Sequence, residues 1–399
     1  MLQRDRYPDI DMRIAVQQIE GMRQALAKWP ALARCGQYLY PPRLNREQSS
    51  SEATARYKAQ LVGRLGGGRV ADLTGGMGVD SLFVSQVCET LDYCEQDENL
   101  AALCRHNFTA LAKVDADPPL CHPNIHCHTG DSMVWVAAGK RQYDTLFIDP
   151  ARRDSQGRKT VAFDHCTPNL LLHLQMLMSH CRHLVVKASP MIDIAQAVAQ
   201  MSTAGGKVAE VHILAVGGEC KEVDFVVVGD DTTEGKEHTI HCAHLTPTGQ
   251  TLAHFHFTHG QEAAAAPCFA PAVGRYLYEP DASLMKGGCY NLIGQRYALA
   301  QLARNTHLYT GDDRVVDFPG RCFEVLQELP PHGKHVAATI PGGKAHVVVR
   351  NYPCSAEELQ RRLHLAEGGS LFVVGATVGL RPTVWVCRRR EDCNKEDIQ

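Results

Sequence analysis

Asp72-Leu73-Thr74-Gly75-Gly76-Met77-Gly78-Val79-Asp80 ends an apolar run that begins at Arg69 and opens a stretch with helical periodicity. Glycines at a strand-to-helix turn let the backbone approach a ligand and aim its amide groups at it. A carboxylate at the strand end, Asp72, repels a pyrophosphate but suits a ligand carrying a cationic amine. Outward from this turn, strands are predicted at 69–73, 90–94, 124–128, 144–148, 183–187, 209–215 and 223–228. Helices are predicted at 79–88, 97–112 and 167–181. Repeated strand-helix-strand units mean a parallel sheet covered on both faces. Only residues 216–222 separate the last two strands, too few for a right-handed crossover, so these strands form an antiparallel hairpin.

Further acids stand at successive strand ends. Glu95 ends the second strand, where an acid can hold both hydroxyls of a ribose. Asp131, in Thr129-Gly130-Asp131, follows the third, where it can accept from an adenine amino group. Ser81 takes the third glycine position of the dinucleotide pattern. In this order the residues resemble the class I S-adenosylmethionine-dependent methyltransferases, over about 47–230. The resemblance implies an α/β, Rossmann-like sheet of seven strands with an antiparallel terminal hairpin, and S-adenosylmethionine as cofactor. The implied cofactor site is Asp72, Thr74, Gly75, Gly76, Gly78, Asp80, Glu95, Gln96, Asp131 and Ser132. In related methyltransferases a segment before the first strand folds over the methionine end of the cofactor. The polar run here puts Ser49, Ser50 and Lys58 at that place, beside the cofactor carboxylate.

The fourth strand ends Phe147-Ile148-Asp149-Pro150-Ala151-Arg152-Arg153-Asp154. In amino-methyltransferases this place carries an acid or Asn, two prolines and an aromatic residue. The likeness makes Asp149 and Pro150 the catalytic pair, accepting from the target amine. Ala151 replaces the second proline, and Arg152 stands where the aromatic is expected. Arg152 and Arg153 can grip phosphate or stack on a base. Lys187 and Ser189, after the fifth strand, complete the expected substrate side. A serine without a base beside it is a poor nucleophile, which argues against attack on a pyrimidine ring at position 189.

The flanks differ from this core. Residues 1–46 form a helical region, with a helix over 14–34 interrupted at Gly21 and Pro30. Residues 47–231 form the methyltransferase domain, and 232–273 read as an irregular connector with a β-hairpin around 239–257. Residues 274–319 resemble a small ferredoxin-like module with a helix at 281–303, and 320–390 resemble the α+β THUMP-like domain that follows this catalytic domain in one bacterial family. True THUMP domains bind RNA. The whole chain thus resembles a bacterial methyltransferase acting on RNA, tRNA or rRNA, with N-methylation of a base amine favoured. The competing readings are a methyltransferase of proteins or small molecules, and a non-catalytic protein that binds cofactor or RNA.

Composition fits this reading. Hydrophobic residues make up 44% and charged residues 21%, which excludes disordered and fibrous classes. The net charge of −3 excludes a histone-like binder of nucleic acid. Residues 1–50 carry eight basic against five acidic residues and 320–399 eleven against nine, so the acidic excess lies in the middle. Mildly basic flanks permit contact with a polyanion. No apolar run is long enough for a membrane span, and the opening residues lack the apolar core of a secretory signal. The 16 cysteines include no CxxC pair and read as reduced, mostly buried thiols of a cytoplasmic protein. No metal is expected: Cys127 alternates with His126 and His128 along a strand, which parts the thiol from the imidazoles.

Overall fold

The computed structural model describes residues 11–116, 119–151, 163, 166–229, 237–329 and 340–390. Its contacts divide the chain into two units, Met1–Leu252 and Ala253–Gln399. The strands of the first unit are β1 (Arg69–Asp72), β2 (Thr90–Glu95), β3 (Ile125–Thr129), β4 (Tyr143–Ile148), β5 (Cys181–Ala188), β6 (Lys207–Val216), β7 (Glu219–Val228) and β8 (Thr239–Leu245). The chain passes into the second unit within β9 (Thr251–Phe257). The sheet order is β3-β2-β1-β4-β5-β7-β6-β8-β9. β1 pairs in parallel with β2 on one side and β4 on the other. The strand order reverses there, and a crevice opens beyond the carboxyl ends of these strands.

The expected reversed hairpin is present. β7 runs antiparallel to both β5 and β6. The connection shrinks to Gly217-Gly218, with φ of 62° and 83°. Two positive φ values in a two-residue turn match the right-handed twist of the flanking strands, and glycine adopts them without steric cost. The sheet is larger than the seven strands expected. The two strands expected around 239–257 are present as β8 and β9, and β8 extends the sheet by pairing in parallel with β6. Ile240, Cys242, Ala243 and Leu245 of β8 are buried, with His241 and His244 between them.

Helices α1 (Met12–Lys28), α2 (Pro30–Ala33), α3 (Arg43–Gln48) and α4 (Glu52–Arg64) precede β1. α1 runs through Gly21 because its backbone lies against Tyr40; a Cβ on Gly21 would sit 2.3 Å from that of Tyr40. Ser51 caps α4 by accepting the Thr54 amide. Then follow α5 (Val79–Val84), α6 (Glu98–Leu111), α7 (Ser132–Ala138), α8 (Leu170–Met178) and α9 (Ile194–Thr203). α5 stops four residues short of the expected end, at Val84.

The second unit is built on a mixed seven-stranded sheet. Alternation along its strands serves two apolar layers. Leu277, Phe323, Trp385 and Cys387 pack on one side, and Val373, Val384, Val386 and Leu359 on the other. The helix expected over 281–303 is two helices, Ala282–Gly287 and Tyr290–Tyr297, parted at Gly288 with φ of 77°. No helix among the described residues is long and apolar enough to cross a membrane. The 15 described cysteines are all free thiols.

Candidate functional site

A cavity of about 1190 Å³ opens at the carboxyl ends of β1, β2, β4 and β5. Asp72, Thr74, Gly75, Gly76, Gly78, Asp80, Glu95, Gln96, Asp131, Ser132, Asp149, Pro150, Lys187, Ser189, Ser49 and Ser50 all line it. The glycine turn needs its glycines. A Cβ on Gly75 would lie 2.1 Å from the Tyr93 ring, and Gly76 and Gly78 have φ of 53° and 76°. Tyr93 in turn donates its hydroxyl to the Gly76 carbonyl at 2.7 Å, fixing the loop from beneath. Glu95 Oε2 accepts the Gly76 amide and Oε1 the Asp97 amide, both at 2.8 Å. These bonds set the carboxylate's direction and use one acceptor site on each oxygen, leaving one on each for a ligand hydroxyl.

Asp72 is buried beneath the same turn. Its Oδ2 accepts from Ser81 Oγ at 2.6 Å and its Oδ1 from the Thr74 amide at 3.1 Å. Ser81, at the third glycine position, thus orients the acid. Burial pushes the Asp72 carboxyl up to about 7 against these two bonds. Asp131 is exposed and caps α7, accepting the Met133 amide at 2.8 Å.

Ser50 and Asp80 meet at the cavity wall, Ser50 Oγ donating to Asp80 Oδ2 at 2.6 Å. Trp29 Nε1 donates to the Ser50 carbonyl at 2.7 Å, which ties this segment to the N-terminal helices. Lys58 was expected beside a cofactor carboxylate, but it does not line the cavity. It is fully buried behind the wall. Its ammonium lies 2.7 Å from Ser50 Oγ, 2.9 Å from Asp80 Oδ1 and 2.8 Å from Glu222 Oε1. One hydrogen bond and two ion pairs thus hold the ammonium. Burial alone would lower the Lys58 pKa, but Asp80, Glu222 and Asp224 outweigh it and hold it above its usual value. Asp80, though burial works against its charge, is held below the usual carboxylate range by Lys58 and Lys187. Glu222 and Asp224 carry no local motif. The signal available in the sequence was two acids inside the apolar run of β7.

At the far end of the cavity, Asp149 Oδ2 accepts from Lys187 Nζ at 2.5 Å, and the Asp149 amide donates to Thr74 Oγ1 at 2.6 Å. Lys187 therefore serves the acid directly. Burial opposes the Lys187 charge, and Asp149 more than restores it. Ser189 Oγ accepts the Met191 amide at 3.2 Å. Ala151 and Thr167 form an antiparallel bridge that joins two walls of this end. Thr167, Pro168, His173, Met176 and Met191 also line it; they lie outside every motif and are brought in by α8 and the loop after β5. Arg152 and Arg153 lie outside the described residues.

Comparison with known proteins agrees with this arrangement. Two uncharacterized S-adenosylmethionine-dependent methyltransferases, from two strains of Mycobacterium tuberculosis, are each 25% identical to the chain, over 86% of it and 87% of their own length. A crystal structure of a candidate methyltransferase from Porphyromonas gingivalis W83 superposes with a TM-score of 0.80 and 28% identity, covering 96% of this chain and 92% of that one. A ferredoxin-like domain model matches residues 276–319, and a THUMP domain-like model matches 320–389. Lys58→Met should remove the cation that Asp80 and Glu222 share in a dry site. Breaking a buried ion pair from one side costs about 3–5 kcal/mol. The urea midpoint of the variant should fall accordingly; an unchanged midpoint would show that the cluster does not hold the unit together.

Proposed function

We propose that this chain, related by sequence and fold to the S-adenosylmethionine-dependent methyltransferases, binds that cofactor in the cavity and methylates an amine nitrogen of RNA, either tRNA or rRNA. The reading rests on one observation: Asp72, Glu95, Asp131 and Asp149, at or just beyond the ends of four adjacent parallel strands, line a single cavity with the glycine turn. The residues suit the cofactor's chemistry. Glu95 has acceptor capacity left for two hydroxyls, Asp72 is placed to take a cationic amine, and Asp131 to take an amino group of a base. Ser49 and Ser50 would close over the methionine end.

S-adenosylmethionine, when bound, supplies a methyl group made electrophilic by its sulfonium. The protein's part is alignment, which can replace most of the entropy cost of bringing two reactants together. Lys187 fixes Asp149 through Oδ2, and Oδ1 carries no bond from a described residue. That oxygen would accept a hydrogen bond from the target amine and turn the nitrogen lone pair toward the methyl group. The N–C bond would form from that lone pair as the methyl–sulfur bond breaks, S-adenosylhomocysteine would leave as the neutral thioether, and the surplus proton on nitrogen would pass to solvent. RNA as the acceptor is supported by the THUMP-like match of the tail and by the Asp149-Pro150 pair. Mass spectrometry of nucleosides in RNA from cells with and without the gene tests this. A methylated nucleoside should disappear with the gene; unchanged RNA would transfer the activity to a protein or a small molecule.

Glu95→Ala should weaken binding of S-adenosylhomocysteine about ten- to hundredfold by calorimetry, the loss of charge-assisted bonds worth about 1.5–3 kcal/mol. Unaltered affinity would take Glu95 out of the site. Asp72 adds a pH dependence with a definite sign. A cationic ligand needs the ionised carboxylate, and the free protein holds this acid protonated below about pH 7. Affinity for S-adenosylhomocysteine should therefore rise about tenfold from pH 6 to pH 8, because each unit below the pKa costs ~1.4 kcal/mol. Asp72→Asn should flatten the profile, and a profile equally steep in that variant would assign the titration elsewhere.

A further inference from the structure

A planar acceptor needs a flat surface against which its ring can lie while its amine meets Asp149. Base-binding proteins supply such surfaces with Phe, Tyr, Trp or His. Among the described residues that line the cavity there is no Phe, Tyr or Trp. One ring with a π-face is present, that of His173. Its place on α8 follows from helical spacing. Leu170, Leu174 and Leu177 are buried and anchor the helix. His173 and Met176, three residues apart, share the neighbouring flank, and both reach the cavity. This is the end of the cavity that holds Asp149. Pro150 and Pro168 stand on the two chain segments joined by the Ala151–Thr167 bridge, and Met191 closes from the loop after β5. Apolar walls with one imidazole ring, beside Thr167, Ser189 and the Asp149–Lys187 pair, suit a flat heterocycle with an amino group at its edge. They do not suit a flexible aliphatic amine, which needs no ring platform.

We propose that His173 is the stacking platform for the acceptor base, holding a heteroaromatic amine so that its exocyclic nitrogen meets Asp149. The ring stands in for the aromatic residue that the Asp149-Pro150-Ala151-Arg152 sequence lacks. This rests on the methyltransferase reading above and deepens it by naming the acceptor class. Stacking of one base on an aromatic side chain is worth roughly five- to hundredfold in affinity on alanine substitution.

The test uses the full-length chain, S-adenosylmethionine and RNA from cells lacking the gene, with wild type, His173→Ala and His173→Phe compared. His173→Ala should lower kcat/KM for RNA roughly five- to hundredfold, mainly through KM, and His173→Phe should stay within about threefold of wild type. Both variants should bind S-adenosylhomocysteine as wild type does, which shows that the fold and the cofactor site are intact. Wild-type activity with an unaffected alanine variant would overturn the platform and leave the methyltransferase reading standing. A phenylalanine variant as impaired as the alanine one would overturn it too, by showing that the imidazole nitrogens and not the ring face are used. A wild-type protein that binds S-adenosylhomocysteine but methylates a protein lysine and no RNA would overturn the platform together with the RNA reading.

Discussion

The first unit depends on one buried cation. Lys58 projects from α4 into a site closed to solvent, and its ammonium joins three parts of the chain distant in sequence: the Ser50 segment, Asp80 at the start of α5 and Glu222 on β7. A lysine has no other acceptable place once buried, because an unpaired charge in a dry interior costs several kcal/mol. The ion cluster therefore defines how α4 lies on the sheet. It also defines the cavity wall, since Ser50 and Asp80 present their free sides to the ligand space. Apolar packing alone would leave α4 free to slide by small steps. An ammonium held by one hydrogen bond and two ion pairs does not tolerate such slippage.

The same cluster has more acid than base. Around Lys58 and Lys187 stand Asp80, Asp149, Glu222 and Asp224. The surplus falls on Asp224, which is fully buried with both oxygens lacking a hydrogen-bond partner. Burial, with Glu222 nearby, raises its pKa well above the carboxylate range, while Lys58 and Lys187 pull it back. Asp72 shows the milder case, near neutrality, because Ser81 and the Thr74 amide support its charge. The partly exposed Glu95 and the exposed Asp131 lie toward one end, and the buried, adjustable Asp72 lies beneath the glycine turn.

How far this was legible in the sequence follows from the range of each interaction. The strands and the glycine turn depend on local periodicity and local backbone need, and they were read within a few residues of their observed bounds. Glu95, Asp131 and Asp149 were found because a parallel sheet places ligands at strand ends, so position along the chain predicts position in space. Lys58 was picked out but placed one layer too far forward. Its partners Asp80 and Glu222 lie 22 and 164 residues away, and sequence spacing says nothing about such pairs. Lys187 was expected on the substrate side and does line the cavity, but its bond to Asp149, a contact made from neighbouring strands, left no mark in the sequence. His173 gave no signal, because its only distinction is to be the one Phe, Tyr, Trp or His ring among the described residues that line the cavity.

Sheet register shows why α4 and the outer strands carry polar residues at all. Cross-strand partners share a face, and the pairs Lys187 with Asp224, Asp224 with His212, and His212 with His241 align four ionisable side chains across β5, β7, β6 and β8. α4 answers this row. Tyr57 lies 2.9 Å from His212 Nδ1, Lys58 meets Glu222, and Arg64 Nη1 donates to Glu210 Oε1 at 3.0 Å. Glu210 also accepts from His212 Nε2 at 2.9 Å, and His212 stacks on His241 with ring centroids 4.6 Å apart. The Arg64 fork holds both oxygens of Glu210, so the charge that would draw a cation to Glu210, His212 and His241 is already answered by the helix. A slip of one residue in β7 would turn Glu222 and Asp224 to the opposite face and bring Val223, with Lys221 or Phe225, to the side of Lys58. The polar row therefore specifies register in strands whose apolar residues, buried on both faces, would accept either. It joins the extra strand β8 to the same constraint that shapes the cavity.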